Sequence, residues 1–250
     1  MINNKKILIT GASRGLGAEV AKYFIKNNNQ VALLARTESD LNKITKKTKN
    51  NIVLSVDLLD VNQINDSVNK AINFLGEIDI VIHAAGGGIG LKNPFLSFEE
   101  ISILFKLNVG AAVEINKIII KSMMDRKRGN IVHVGSIASS EAVGSVGYNT
   151  VKAALSSYVR SIGRELYQYN IIATGILPGG FISRGNAMWR LREKNIEAYN
   201  NFVRERLPRK KMGSASEIIP LIELLSSPYA SMMGGCMVPI DAGEGRTYCL

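Results

Sequence analysis

Cysteine is scarce in this sequence, and long apolar runs are absent. The two cysteines, Cys236 and Cys249, have neither metal-ligand nor redox spacing, which is typical of unpaired thiols in a reducing compartment. No stretch of 18 apolar residues predicts a membrane span, and the polar start MINNKK lacks the pattern of a secretory signal. We therefore expect a cytoplasmic protein with no membrane segment and no metal site.

Acidic residues are also in deficit: 21 stand against 31 lysines and arginines, which gives a formal net charge of +10. Such a balance can indicate nucleic acid, a membrane surface or an anionic small substrate as partner. The basic clusters at residues 43–49, 126–128 and 204–211 are not interleaved with aromatics, as a groove for single-stranded nucleic acid would be. We expect no nucleic acid partner.

The 250 residues are 46% hydrophobic and 21% charged, which is sufficient for a full core. Apolar runs and helical patterns alternate from end to end. Strands are predicted over residues 7–10, 31–35, 52–56, 78–83, 131–134, 171–177 and 237–240, and helices over residues 16–26, 38–47, 61–75, 98–125 and 216–225 and around residues 148–152. This alternation predicts an α/β fold: a single doubly wound domain over residues 1–250, with a parallel seven-stranded sheet and helices on both faces.

A glycine-rich turn follows the first predicted strand and opens directly into a helix. Its sequence, TGASRGLG at residues 10–17, has the spacing G-x-x-x-G-x-G rather than the G-x-G-x-x-G of the usual dinucleotide fingerprint. Glycines let the backbone approach a pyrophosphate, and the helix N-terminus offers free N–H groups and a positive dipole end. The turn therefore predicts a dinucleotide cofactor.

The end of the second predicted strand indicates which dinucleotide is bound. Folds that bind NAD place an acidic residue there to hold the ribose 2′-hydroxyl, whereas an arginine accommodates a 2′-phosphate. This chain has Arg36 at that point, and Arg14 in the glycine turn supplies a second cation. NADP(H) is the predicted cofactor, although Arg36 could also be a solvated loop cation.

Residues 129–154 contain a candidate set for proton transfer. Ser136 follows a predicted strand, and Tyr148 precedes Lys152 by four positions, which places the phenol and the ammonium on one face of a helix. A hydroxyl, a phenol and an amine can together transfer a proton. Taken alone, the same residues could also be an ordinary turn serine and a chance pair on a lysine-rich helix.

With these motifs in place, the chain resembles the short-chain dehydrogenase/reductase superfamily, whose fold is of the Rossmann type, and within it the 3-oxoacyl-(acyl carrier protein) reductases. The resemblance extends over essentially the whole chain. It rests on the glycine turn at residues 10–17, Asp57 and Leu58, AAG at residues 84–86, Asn108, Ser136, Tyr148, Lys152, Pro178 and Gly179. One departure is His83-Ala84-Ala85-Gly86, where the family has Asn-Asn-Ala-Gly. There His83 is expected to be structural and to form local hydrogen bonds.

The resemblance implies four catalytic residues. Tyr148 would protonate the carbonyl oxygen, and Lys152 would lower the pKa of that phenol and hold the nicotinamide ribose. Ser136 would bind the substrate oxygen, and Asn108 would position a water of the proton relay. The cofactor residues that it implies are Gly11, Ser13, Arg14, Gly15, Leu16, Gly17, Arg36, Asp57, Leu58, Ala85, Gly86, Tyr148, Lys152, Pro178, Gly179, Ile182 and Ser183.

The resemblance also implies a homotetramer, with a dimer as the alternative, and a substrate lid over about residues 180–212. That segment shows no strand pattern and is rich in arginine and lysine. Its charge would suit an anionic carrier such as acyl carrier protein, CoA or a nucleotide, but it could equally be a solvated face. The expected function is NADPH-dependent reduction of a carbonyl, with a 3-oxoacyl thioester as candidate substrate. The alternatives are a ketoreductase of sugar or secondary-metabolite biosynthesis and a non-catalytic NADP-binding regulator.

Overall fold

The fold is described here from a computed structural model that covers residues 1–45 and 50–247. Cys249, the last two residues of the helix predicted over residues 38–47 and most of the basic cluster at residues 43–49 lie outside the described residues. Cys236 is exposed and unpaired.

Seven parallel strands form one sheet, as the sequence predicts. Their order is β3-β2-β1-β4-β5-β6-β9, so the direction of winding reverses between β1 and β4. A separate pair, β7 and β8, is also parallel. The strands are β1 Lys6–Thr10, β2 Gln30–Ala35, β3 Asn51–Ser55, β4 Ile80–His83, β5 Gly129–Val134, β6 Ile171–Pro178, β7 Phe181–Ile182, β8 Gly213–Ser214 and β9 Met237–Ile240.

Helices cover both faces of this sheet and bury its apolar strands. They are α1 Gly15–Lys26, α2 Glu38–Thr45, α3 Val61–Leu75, α4 Phe98–Phe105, α5 Ala111–Arg126, α6 Val146–Tyr167, α7 Ala187–Lys194, α8 Ile196–Arg206 and α9 Ala215–Leu225. One core lies between the sheet and α1, α2 and α9, and the other between the sheet and α3, α5 and α6. The predicted fold class is therefore confirmed.

Local sequence signals account for several helix ends. Asp60 caps α3 by accepting from the backbone N–H groups of Asn62 and Gln63, and Gly76, with a positive φ of 77°, follows its last residue. Ser97 and Glu100 form a reciprocal capping box at the start of α4. These caps satisfy backbone donors that a helix end leaves without partners.

Two predicted elements differ from the structure. The helix predicted over residues 98–125 is interrupted: a π-helical turn, Lys106–Gly110, separates α4 from α5. Such wider turns are frequent at functional sites, and periodicity does not reveal them. Residues 180–212, expected to contain no strand, include β7, which pairs with β8 just beyond this segment. Two-residue strands are too short for a pattern of alternating residues to predict.

The described helices include none that combines the length and the apolar composition needed to span a bilayer. This agrees with the absence of long apolar runs in the sequence.

We expect Phe24→Ala to lower the free energy of unfolding by about 3–5 kcal/mol, because it leaves a cavity where a fully buried ring packs between α1 and the sheet. Urea unfolding followed by circular dichroism measures this. The matched control is Phe74→Ala, since Phe74 is 44% exposed and its loss should cost less than about 0.5 kcal/mol. Equal losses in the two variants would contradict the core assignment.

Candidate active site

The residues predicted to bind cofactor and substrate lie along the carboxyl edge of the sheet. The glycine turn follows β1, Arg36 follows β2, Asp57 follows β3, and residues 84–88 follow β4. Ser136 follows β5, and Pro178 ends β6. In open parallel sheets this edge, at the point where the winding reverses, is where ligands bind.

The glycine turn is formed by backbone contacts that exclude side chains. Gly11 and Gly15 have positive φ values of 67° and 62°, which other residues rarely adopt. A Cβ atom on Gly17 would collide with the carbonyl oxygen of Gly11, and one on Gly11 would lie 2.8 Å from the backbone nitrogen of Ala85. Helix α1 can therefore begin directly against the ends of β1 and β4.

The N-terminus of α1 has free backbone donors. Its N-cap, Arg14, is extended and forms no side-chain cap, and the first turn contains no acidic residue. Gly15 donates its N–H to the carbonyl oxygen of Arg184 at 2.9 Å, whereas the N–H groups of Leu16 and Gly17 have no acceptor outside their own helix among the described residues. Free donors at a positive dipole end fit a pyrophosphate, so this turn is suited to a dinucleotide.

Cationic and polar groups lie beyond the turn. Arg14, in the turn itself, and Arg36, directly after β2, are both exposed. Asp57 accepts a hydrogen bond from the N–H of Leu59 at 3.1 Å, and Leu58 is buried. The structure thus has Arg36 rather than an acidic residue directly after β2, with Arg14 in the glycine turn, which fits a ribose carrying a 2′-phosphate.

The Asn108 side chain lies in the π-helical turn and is largely occupied by the protein itself. Its amide nitrogen donates to the carbonyl oxygens of Leu104 and Gly87, and its Oδ1 accepts from the N–H of Gly87 at 2.9 Å. A Cβ atom on Gly86 would lie 2.7 Å from Asn108 Oδ1 and 3.3 Å from Lys152 Nζ. Asn108 therefore holds the chain after β4 against Lys152.

Ser136, Tyr148 and Lys152 come together as the sequence predicts. The Lys152 ammonium is buried, donates to the carbonyl oxygen of Val134 at 3.0 Å and lies 5.7 Å from the centre of the Tyr148 ring. Ser136 Oγ accepts from the N–H of Ala138, and the Ser136 side chain lies close enough to Tyr148 to lower the pKa of its phenol. The three groups form one contiguous polar set at the end of β5.

Burial dominates the electrostatics of this set. It lowers the pKa of Lys152 to about 8, because the charged ammonium is poorly solvated. It raises the pKa of the Tyr148 phenol, and the nearby Ser136 side chain opposes that rise only in part. Desolvation of the phenolate therefore sets the net pKa shift of Tyr148, and the lowering of that pKa by Lys152 stays a prediction.

The segment after β6 lies near the glycine turn. Pro178 and Ser183 are buried, whereas Gly179 and Ile182 are partly exposed. The main chain at Arg184 contacts Gly15, as described above, and a Cβ atom on Gly185 would lie 3.2 Å from the Arg14 side chain. The residues predicted in this segment therefore reach the same edge of the sheet as the glycine turn.

Sequence reasoning did not identify several polar residues at or beneath this edge. Buried Glu244 accepts from the N–H of Gly180 and forms an ion pair with Arg206 at 3.4 Å. His133, inside an apolar strand, stacks on His83, and Asn116 hydrogen-bonds His83. For His133 the available signal was a polar residue within an apolar strand, which does not by itself reveal a partner, and Glu244 in DAGEGRT gave no such signal.

Comparison with known proteins identifies the family of this chain. Residues 5–194 match the family described as short chain dehydrogenase. The chain is 31% identical over 184 residues to the ketoacyl reductase HetN of Nostoc sp., a match that covers 71% of this chain and 64% of that protein. It is 28% identical over 248 residues to the 3-oxoacyl-[acyl-carrier-protein] reductase FabG of Buchnera aphidicola, covering 98% and 99% of the two chains.

Among solved structures, L-sorbose reductase of Gluconobacter frateurii, complexed with NADPH and L-sorbose, superposes with a TM-score of 0.90 at 25% identity. The superposition covers 99% of this chain and 98% of that one. The matched family acts on CH–OH and C=O groups with nicotinamide cofactors. The chain belongs to the short-chain dehydrogenase family and resembles its 3-oxoacyl-(acyl carrier protein) reductases.

Proposed function

We propose that this protein is an NADPH-dependent reductase that converts a ketone to an alcohol. The observation that carries the proposal is the contiguous set of Ser136, Tyr148 and Lys152 at the same sheet edge as the free helix N-terminus of α1. A regulator that only binds NADP would have no need for a buried phenol and ammonium beside a hydroxyl.

The cofactor, when bound, supplies the hydride. The residues suited to hold it are the N–H groups of Leu16 and Gly17 for the pyrophosphate, and Arg14 and Arg36 for a 2′-phosphate. Lys152 and the segment from Pro178 to Ser183 are proposed to face the nicotinamide end. The choice of NADPH over NADH rests on the two exposed arginines, since an arginine paired with a phosphate forms charge-assisted hydrogen bonds.

The protonation states suit reduction. Because burial raises its pKa, Tyr148 keeps its proton at neutral pH and can donate it to a carbonyl oxygen. Ser136 can donate a hydrogen bond to the same oxygen. Charged Lys152, held by the carbonyl oxygen of Val134, would stabilise the phenolate that remains after the proton has left.

Residues 180–212 are proposed to act as the substrate lid of a single domain. The pairing of β7 with β8 closes the base of this segment, and α7 and α8 contain no buried residue. Little burial and few tertiary bonds are typical of segments that open locally.

A cytoplasmic location stays a prediction, and so does assembly as a homotetramer. The apolar side chains of Phe98, Phe105 and Val146 on α4 and α6 are exposed, which supports an interface between subunits there.

The substrate is proposed to be a 3-oxoacyl thioester, which the names of the ketoacyl and 3-oxoacyl reductase relatives support. A keto-sugar is the second candidate, supported by the similarity to L-sorbose reductase. Much of the lid's positive charge already has partners: Arg192 pairs with Glu193 and Arg206 with Glu244. An anionic carrier therefore has fewer free cations to contact than the sequence alone suggests.

We expect Tyr148→Phe to lower kcat at least about a hundredfold, because it removes the proton donor, while the Kd for NADPH changes little. NADPH oxidation is followed with acetoacetyl thioesters, keto-sugars and small ketones. The matched control is Tyr229→Phe, since Tyr229 is 87% exposed and lies outside the site. If the native protein binds NADPH but oxidises it with no compound of this panel, the result would support a non-catalytic role.

We expect kcat/KM for reduction to fall as the pH rises through about 8. Lys152 is charged below that pH and loses its proton above it, and the neutral amine no longer stabilises the phenolate. The measurement is a pH–rate profile of the native protein and of Lys152→Arg, which stays charged and should lack this alkaline limb. Lys121→Arg on an exposed part of α5 is the control. An unchanged limb in Lys152→Arg would rule out Lys152 as its source.

We expect Arg36→Ala to weaken NADPH binding roughly ten- to a hundredfold and to leave NADH binding nearly unchanged, because only NADPH carries the 2′-phosphate. The two Kd values are obtained from the fluorescence of the reduced nicotinamide at fixed ionic strength. Lys26→Ala removes one charge at the far end of α1 and should leave the ratio of the two Kd values unaltered. A parallel loss for both cofactors would show that Arg36 does not select the phosphate.

A further inference from the structure

The two histidines of the chain form a stacked pair beneath the candidate active site. His83 on β4 and His133 on β5 are partners in the strand register, and their rings stack with centroids 4.6 Å apart. They are 5% and 0% exposed. Burial lowers the pKa of His83 to about 4 and that of His133 well below its usual value, so both rings are neutral.

One ring of the pair is fixed by hydrogen bonds. His83 Nε2 lies 2.9 Å from Asn116 Oδ1, and the amide nitrogen of Asn116 donates to the Tyr158 hydroxyl at 3.0 Å. Since Asn116 uses its nitrogen towards Tyr158, its oxygen accepts from His83, and the proton of that imidazole lies on Nε2. The Nδ1 atom of His83 is therefore left as an acceptor.

The other ring is not satisfied by protein groups. Neither Nδ1 nor Nε2 of His133 has a hydrogen-bond partner among the described residues, although both atoms are fully buried. A buried polar group without a partner is costly, of the order of 1–3 kcal/mol, and native proteins commonly satisfy such groups with an ordered water. A neutral imidazole offers one donor and one acceptor to such a water.

A small cavity is lined by both histidines and by Asn108. It has room for the centre of one water molecule, about 10 Å³, and its polar lining comes from Thr10, His83, Asn108 and His133. Thr10 Oγ1 accepts from the N–H of Ala85, and its own proton has no acceptor among the described residues. The cavity is thus bordered by the Thr10 hydroxyl and by the two imidazoles, and a buried water needs two to four polar partners.

Asn108, which lines this cavity, lies close to Lys152. Asn108 Oδ1 and Lys152 Nζ lie 2.7 and 3.3 Å from the position that a Cβ atom on Gly86 would occupy. Lys152 also donates to the carbonyl oxygen of Val134, the residue that follows His133 in β5. A group bound between His133 and Asn108 would therefore be attached to the two segments that hold the ammonium in place.

We propose that this cavity binds one ordered water molecule that joins His133 to Thr10 and Asn108, and that His133 thereby acts as a positioning residue for Lys152. Because both rings are neutral, the pair adds no charge beside the ammonium. The binding site stands on the cavity and the unpartnered nitrogens, whereas the positioning role rests on the reductase function proposed above.

Crystal structures of the full chain test the binding site without reference to activity. In the native protein we expect density for one water within hydrogen-bond distance, about 3 Å, of a ring nitrogen of His133. In His133→Phe, which keeps the volume of the ring and removes both nitrogens, that water should be lost. A dry cavity in the native protein would overturn the proposal, and so would a water that remains unchanged in His133→Phe.

Kinetics test the positioning role. We expect His133→Phe to lower kcat on the order of tenfold, with the KM for NADPH unchanged and the alkaline limb near pH 8 displaced, because Lys152 is held less firmly. His133→Gln retains a donor and an acceptor and should recover most of the loss. An equal loss of kcat in the two variants would show that His133 only packs, and would overturn its role in positioning Lys152.

The crystallographic and kinetic tests together distinguish failure of this proposal from failure of the proposed reductase function. If no carbonyl compound is reduced by the native protein, the reductase function and the positioning role fail together, and the native crystal structure still decides whether the cavity binds water. If His133→Phe does not fold, the native structure and the comparison of His133→Gln with the native enzyme decide both points.

Discussion

In-register pairing of the parallel strands is the constraint on which the rest of this structure depends. One row of paired residues crosses the sheet from Thr10 through His83, His133 and Gly175 to Met237. Because paired residues in neighbouring strands point to the same face, the row places the two imidazoles side by side on the face covered by α5 and α6. A shift of one residue in β5 would turn His133 to the other face and would displace Ser136 as well.

Glycines at both ends of this row allow the close backbone contacts that the strand pairing requires. A Cβ atom on Gly175 would lie 2.5 Å from the sulfur of Met237, so the methionine fills the space next to His133 that a side chain on β6 would otherwise occupy. At the other end, Gly11 and Gly17 allow α1 to begin against the ends of β1 and β4. The glycine turn therefore lies next to the row of paired residues, because backbone atoms make the contacts between them and no side chain separates them.

Burial then sets the charge state of the polar groups along this edge. Desolvation lowers the pKa of Lys152, His83 and His133 and raises that of Tyr148. All four shifts favour the neutral form, since a neutral group loses less solvation energy in the interior. The two histidines are neutral and the phenol keeps its proton. Lys152, with a pKa of about 8, is therefore the group of this set that changes charge nearest to neutral pH.

The sequence by itself determined the alternation of strands and helices, and with it the parallel sheet, because a period of two or of 3.6 is a local property of the chain. It also determined the glycine turn and the pairing of Tyr148 with Lys152, since each depends on residues close together in sequence. Only the tertiary structure decided the π-helical turn at Asn108, the direction of the Tyr148 shift and the stacking of His83 on His133. These features depend on burial and on contacts between distant strands and helices, which spacing along the chain does not encode.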